Sequence, residues 1–157
     1  VTEDPNTPIL EALVDAFLDS WNRHDAGAIA ATFAPDADLV NFRGRRFSGR
    51  DGIARFFTRI FGQNFKESRV TSQERRIRPV GETAAAVDSI WTLAGARDPT
   101  GATRPERRCL LDGTAEKNPT GGWWFVVAHL RELPPDADAS GHSPPAGGPP
   151  AATAPPD

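Results

Sequence analysis

At 157 residues the chain has the length of one domain and enough material to bury a core. Its 18 Lys and Arg against 21 Asp and Glu leave a net charge of −3, which argues against a protein that tracks nucleic-acid phosphates. A lone cysteine, Cys109, excludes an internal disulfide, and no stretch approaches the roughly 20 apolar residues of a membrane-spanning helix.

Thr7 and Pro8 read as a helix cap followed by proline at the first helical position. Ile9, Leu10, Leu13, Val14, Phe17, Leu18 and Trp21 then recur at helical spacing, predicting a helix that ends near His24. Because this first apolar run carries acids and lacks a basic leader, the expectation is a cytoplasmic protein without a signal peptide. Asp25 can cap a second, short helix carrying Ile29 and Phe33 and stopped by Pro35. A short strand is expected over 38–42, turning at Arg43-Gly44. Ser48 can cap a third helix whose inner stripe is Ile53, Phe56, Phe57, Ile60 and Phe61, with Gly62 at its end.

Beyond Gly62 the pattern changes to strands. A polar one is expected over 65–80, closed by Gly81, and an alternating one over 83–96. Two more are expected over 104–116 and 123–133, separated by Pro- and Gly-bearing turns. From Pro134 onward eight prolines fall within 24 residues, with no Leu, Ile, Val or Phe. That composition cannot offset its own ordering entropy, so 1–133 is expected to be the domain and 134–157 a disordered tail. The arginines at 43, 45, 46 and 50, and at 75, 76 and 78, read as solvated loop and edge-strand positions. The element order indicates α+β: three N-terminal helices packed in a strongly curved antiparallel sheet, one face of which can support a homodimer.

The ordered set Trp21-Asn22-Arg23-His24-Asp25, Phe33-Ala34-Pro35-Asp36-Ala37-Asp38 and Gly49-Arg50-Asp51-Gly52-Ile53 resembles the nuclear transport factor 2-like superfamily, which includes SnoaL-like cyclases and ketosteroid isomerases. Asp38 to Gly44, Phe65 to Arg69, Ala86-Val87-Asp88 before Trp91, Arg107-Arg108, and Trp123 leading to Ala128-His129 look closest to SgcJ/EcaC-type proteins. The resemblance implies a cone-shaped, cystatin-like fold with a pocket in its open end, often a homodimer through the sheet, and a place in natural-product pathways.

Ketosteroid-isomerase chemistry needs a carboxylate base and a tyrosine-containing oxyanion hole. By resemblance the base position holds Asn41 and the tyrosine position holds Phe17, and the chain contains no tyrosine. That route is disfavoured. Asn41 can instead orient a ligand oxygen, or serve only as a strand-end hydrogen-bonding group.

His129, expected on the strand face of Trp123, Phe125 and Val127, is the candidate acid or base. Asp88 and Asp112 are the strand acids that can act with it, or that pair with Arg76, Arg107 or Arg108. Trp21, Phe17, Phe57 and Trp91, with Arg107, are the further candidate ligand contacts, and flat apolar walls suit a polycyclic or polyene compound. Of the adjacent pair Trp123 and Trp124, one must face in; the outward one is a dimer-interface candidate. Histidines at 24, 129 and 142 give no metal spacing, and no phosphate loop or cofactor motif is present, so neither metal nor cofactor is expected. Cys109 reads as core.

Three functions follow as expectations. The first is binding of a small hydrophobic, polyketide- or enediyne-like molecule in a closed apolar pocket. The second is a cyclase or isomerase working through His129, and the third a dimeric interaction module without a ligand.

Overall fold

The computed structural model describes residues 4–135; nearly all of the proline-rich tail, with His142, lies outside them. Helix α1 spans Thr7–Asn22 and α2 spans Ala26–Ala30. Strands β1 (Phe33–Val40) and β2 (Arg46–Ser48) precede helix α3 (Gly49–Phe61). Strands β3 (Arg69–Pro79), β4 (Ala84–Ala94), β5 (Arg107–Lys117) and β6 (Trp123–Glu132) follow. They form one six-stranded curved sheet in the order β2-β1-β6-β5-β4-β3. All neighbours are antiparallel except β1 and β6, which run parallel.

The helix stripes lie as the spacing predicts: Leu10, Leu13, Val14, Phe17, Leu18 and Trp21 of α1 are buried, as are Ile53, Phe56, Phe57 and Phe61 of α3. Asp25 caps α2, its carboxylate accepting from the Ala28 N–H at 2.9 Å. Ser48 precedes α3 without capping it, and its hydroxyl donates to Asp38 at 2.6 Å. Of the three expected helices α2 has only 5 residues, and α3 follows two strands.

Pro35 does not stop a helix. It lies inside β1, where the register with β6 shifts between Phe33 and Asp38, a place where a missing N–H breaks no ladder. Strand β2, three residues long and polar, went unpredicted.

A second shift decides which side chains face the helices. Strands β5 and β6 pair Ala115 with Phe125 but Thr114 with Val127, leaving Val126 as an extra residue. The bulge reverses the alternation, so that Trp123, Phe125, Ala128 and Leu130 face inward and are buried. Val127 and His129 face outward, and the expectation that His129 shares a face with Trp123 and Phe125 is thereby corrected. Trp124 is the outward member of its pair, with the Arg50 guanidinium 5.8 Å over its ring. Arg50 also donates twice to the Phe33 carbonyl, at 3.1 and 2.6 Å, tying the start of α3 to β1.

Candidate functional site: an aromatic interior and a polar row outside

Phe17 of α1 is the centre of the interior. Its ring lies 6.2–6.4 Å from those of Trp21, Phe33, Phe57, Trp91 and Phe125, drawn from α1, β1, α3, β4 and β6. Trp21 in turn lies 5.3 Å from Trp91 and 5.8 Å from Phe57. The structure therefore brings together Phe17, Trp21, Phe57 and Trp91, as expected of a ligand site. It uses them differently, however: all four are at most 1 % exposed and fill the space against one another. In place of the expected closed apolar pocket stands an aromatic core in which these rings pack directly on one another.

Polar groups in this interior are few. The Trp21 indole donates to Ser68 Oγ at 2.9 Å, and that hydroxyl donates to the Phe65 carbonyl at 2.7 Å. The His24 ring, at a left-handed backbone position (φ 51°), approaches the Ser68 carbonyl at 2.7 Å and Phe61 at 5.2 Å. Among the described residues, two inward groups of β4 have no hydrogen-bond partner: Trp91 Nε1 and Ser89 Oγ. The inward positions of β4 are Ala85, Val87, Ser89, Trp91 and Leu93, and those of β5 facing the core are Cys109, Leu111, Gly113 and Ala115. Neither set holds a carboxylate or an imidazole. Burial pushes the Cys109 thiol up to about 12, so it stays protonated and inert.

His129, Asp112 and Asp88 do come together, but on the outer face. Pairing in register sets Arg76 opposite Asp88, Asp88 opposite Asp112, and Asp112 opposite His129. The result is one transverse row across four strands. Asp88 holds its proton above the usual carboxylate range, chiefly through burial, then through the hydrogen bond and like charge of Asp112, with Arg76 opposing. A catalytic role of these three residues inside the cone is not what this geometry offers.

Asn41 follows its strand-end reading. Its Oδ1 accepts the Arg43 and Arg45 N–H groups at 3.0 and 2.9 Å, closing the β1–β2 turn. Arg107 lies at one end of the sheet in a hollow of about 280 Å³ with Glu106, Arg108, Glu132 and Pro134. Its Nε is 3.3 Å from Glu132 Oε2, an approach too oblique for a hydrogen bond. Burial first, then Arg104, lowers the guanidinium's proton affinity, with Glu132 opposing. Arg107 is therefore separate from the aromatic cluster.

A larger hollow, about 620 Å³, lies between β2 and α3, lined by Arg45, Arg46, Phe47, Arg55, Phe56 and Arg59 among others. Of these, Arg45 and Arg46 are the positions expected in a solvated loop, and Phe56 belongs to the expected inner stripe of α3. The signal that marks the hollow is the i, i+4 pair Arg55 and Arg59 on the outer side of α3. Among the described residues no group of His, Cys, Asp and Glu is arranged to hold a metal ion, and no helix is long and apolar enough to cross a membrane.

A curved sheet closed over α1 and α3 around one aromatic interior is the cystatin-like α+β fold of the nuclear transport factor 2-like superfamily. The chain belongs to the SnoaL-like domain family, whose model matches residues 14–116. Its backbone is similar to that of an uncharacterized cystatin-like protein from Caulobacter vibrioides (TM-score 0.77, 25% identity, 85% of this chain and 94% of that one). It is also similar to a ketosteroid isomerase-like protein from Erwinia carotovora atroseptica (TM-score 0.71, 21% identity, 85% and 100% covered). A third similar structure is a provisionally named scytalone dehydratase from Novosphingobium aromaticivorans (TM-score 0.69, 21% identity, 82% and 85% covered). At such identities the last two speak to the fold. No curated protein sequence matches the chain.

Proposed function

We propose that this SnoaL-like protein binds a small, hydrophobic, oxygen-bearing molecule in its aromatic interior and does so without chemistry. The observation that carries this reading is the unpartnered Trp91 Nε1, a buried N–H donor among aromatic rings. An indole N–H buried without an acceptor costs about 1–3 kcal/mol, which a ligand carbonyl or ether accepting from it recovers. Ser89, two residues away on the same face of β4, supplies a second polar contact. Entry requires rings of α3 to swing aside, with Phe57 and Phe61 the movable wall. The absence of carboxylate and imidazole from the inward positions of β4 and the core of β5 favours binding over a cyclase or isomerase. We take a polyketide-like compound as the ligand class and secondary metabolism as the setting, a choice supported by the sequence resemblance to SgcJ/EcaC-type proteins and by the fold shared with a provisionally named scytalone dehydratase.

Menadione (a bicyclic dione) and 2-methylnaphthalene, its near-isosteric hydrocarbon, test this by quenching of tryptophan emission. Menadione is expected to bind more tightly. Trp91→Phe should weaken menadione about tenfold and leave the hydrocarbon unchanged, the loss of one buried hydrogen bond. Ser89→Ala is a gentler second variant. Equal effects on both compounds would sink the proposal, and a bound dione recovered as an isomer would make the protein an enzyme.

A second reading, association of two copies through the sheet, is favoured by the half-buried Ile90, Leu110, Val127 and Trp124 on the outer face. Apolar side chains there, interleaved with the polar row, suit a self-complementary contact.

A further inference from the structure

The hollow between β2 and α3 departs from the charge of the whole molecule. The chain is net −3, yet four arginines meet here. Arg46 is committed to Asp38 at 3.2 Å. Among the described residues, Arg45, Arg55 and Arg59 form no ion pair with a carboxylate. Two of them converge on one ring: the guanidinium of Arg45 lies 5.2 Å from the centre of Phe47, and that of Arg59 lies 5.9 Å from it. Phe47 itself packs on Phe56, ring centres 4.8 Å apart.

Three like charges gathered around an apolar floor repel one another, and stacking on a shared ring offsets only part of that. An anion placed among them removes the repulsion and accepts hydrogen bonds in the forked geometry guanidinium groups favour. The floor adds a condition on the rest of the molecule. Phe47 and Phe56 offer flat apolar surface along the hollow. At about 620 Å³ the hollow matches a molecule of drug size rather than a bare ion.

We propose that this hollow is a second binding site, for an amphipathic anion. A flat aromatic body would lie on Phe47 and Phe56, with its carboxylate or phosphate held by Arg45, Arg55 and Arg59. The site is distinct from the aromatic interior and does not depend on that interior's binding a ligand.

Isothermal titration of the full chain with 2-naphthyl phosphate, 2-naphthoate, 2-naphthol and inorganic phosphate tests it. Both aromatic anions should bind. The neutral naphthol and the bare phosphate should each bind at least about tenfold more weakly, since each lacks one half of the recognition. Raising ionic strength from about 0.05 to about 0.5 M should weaken the anions and leave naphthol unaffected. The double variant Arg45→Gln/Arg59→Gln, with an unchanged circular dichroism spectrum, should lose about tenfold or more for both anions. Arg104→Gln, at the other end of the sheet, should lose nothing. Trp91→Phe should also leave naphthyl phosphate binding unchanged, which separates this site from the interior one. Retention of anion affinity by the double variant, or an equal loss of naphthol and naphthyl phosphate affinity in it, would overturn the proposal.

Discussion

Asp88 and Asp112 stand side by side on the outer face because β4 and β5 pair them directly in register. Burial first, then the hydrogen bond and like charge of Asp112, raises the proton affinity of Asp88, with Arg76 opposing. A carboxyl raised in the folded state binds more protons there than in the unfolded chain. Its stabilising contribution is complete below the unfolded value near 3.8 and is lost as pH rises through the raised folded value. Asp88→Asn should therefore raise the melting temperature at pH 7 by a few degrees at most, the side chain being only partly buried. The gain should shrink toward zero near pH 3. Thermal unfolding of both proteins across that range checks this, and a lower melting temperature at pH 7 would mean that attraction to Arg76 outweighs the repulsion.

At the scale of elements, turns and bulges do more positioning than the regular strands. Gly95, just after β4, has φ of +81°, and a Cβ there would come within 2.4 Å of the Glu67 carbonyl oxygen. Gly81, between β3 and β4, has φ of +76° but nothing within 4 Å. The two glycines share a backbone strain and differ in space. Gly81→Ala should cost about 1 kcal/mol, whereas Gly95→Ala should cost about 3 kcal/mol as the 65–68 segment is forced away. Urea unfolding with an unchanged slope and a lower midpoint, much lower for the second variant, is the expected result. That segment carries Ser68, the acceptor for Trp21, so displacement there reaches the aromatic interior directly.

For the whole molecule, the outer face is where a second copy would sit. Leu110 of β5 lies between Ile90 and Arg131 in cross-strand register, near the middle of that face. Leu110→Arg should abolish association in sedimentation velocity while leaving the fold intact, because the position points away from the core. A monomeric parent protein, or a variant that still associates, would reject the sheet as the interface.

Much of this molecule is local and was legible residue by residue. The apolar stripes of α1 and α3, the Asp25 cap, and the alternation in β4 depend on spacing within one element, and the structure follows them. Pro35 misled because its cost depends on whether a neighbour needs its N–H, and a register shift between β1 and β6 removes that need. His129 was placed on the wrong face for a similar reason: the extra residue Val126 is defined only against β5, and one residue of slip inverts every side chain beyond it. The four aromatic residues expected around a ligand do meet, since each is marked as inward by its own element. Whether they enclose a space or fill it depends on five elements approaching at once, so packing alone decided it. The sequence by itself thus determined the fold class, the helices and the aromatic character of the interior. Only the tertiary structure decided the faces of the strand acids and His129, the closed core, and the meeting of Arg45 and Arg59 on Phe47 in a hollow that Arg55 also lines. These outcomes depend on distances between residues far apart in the chain, which local spacing does not encode.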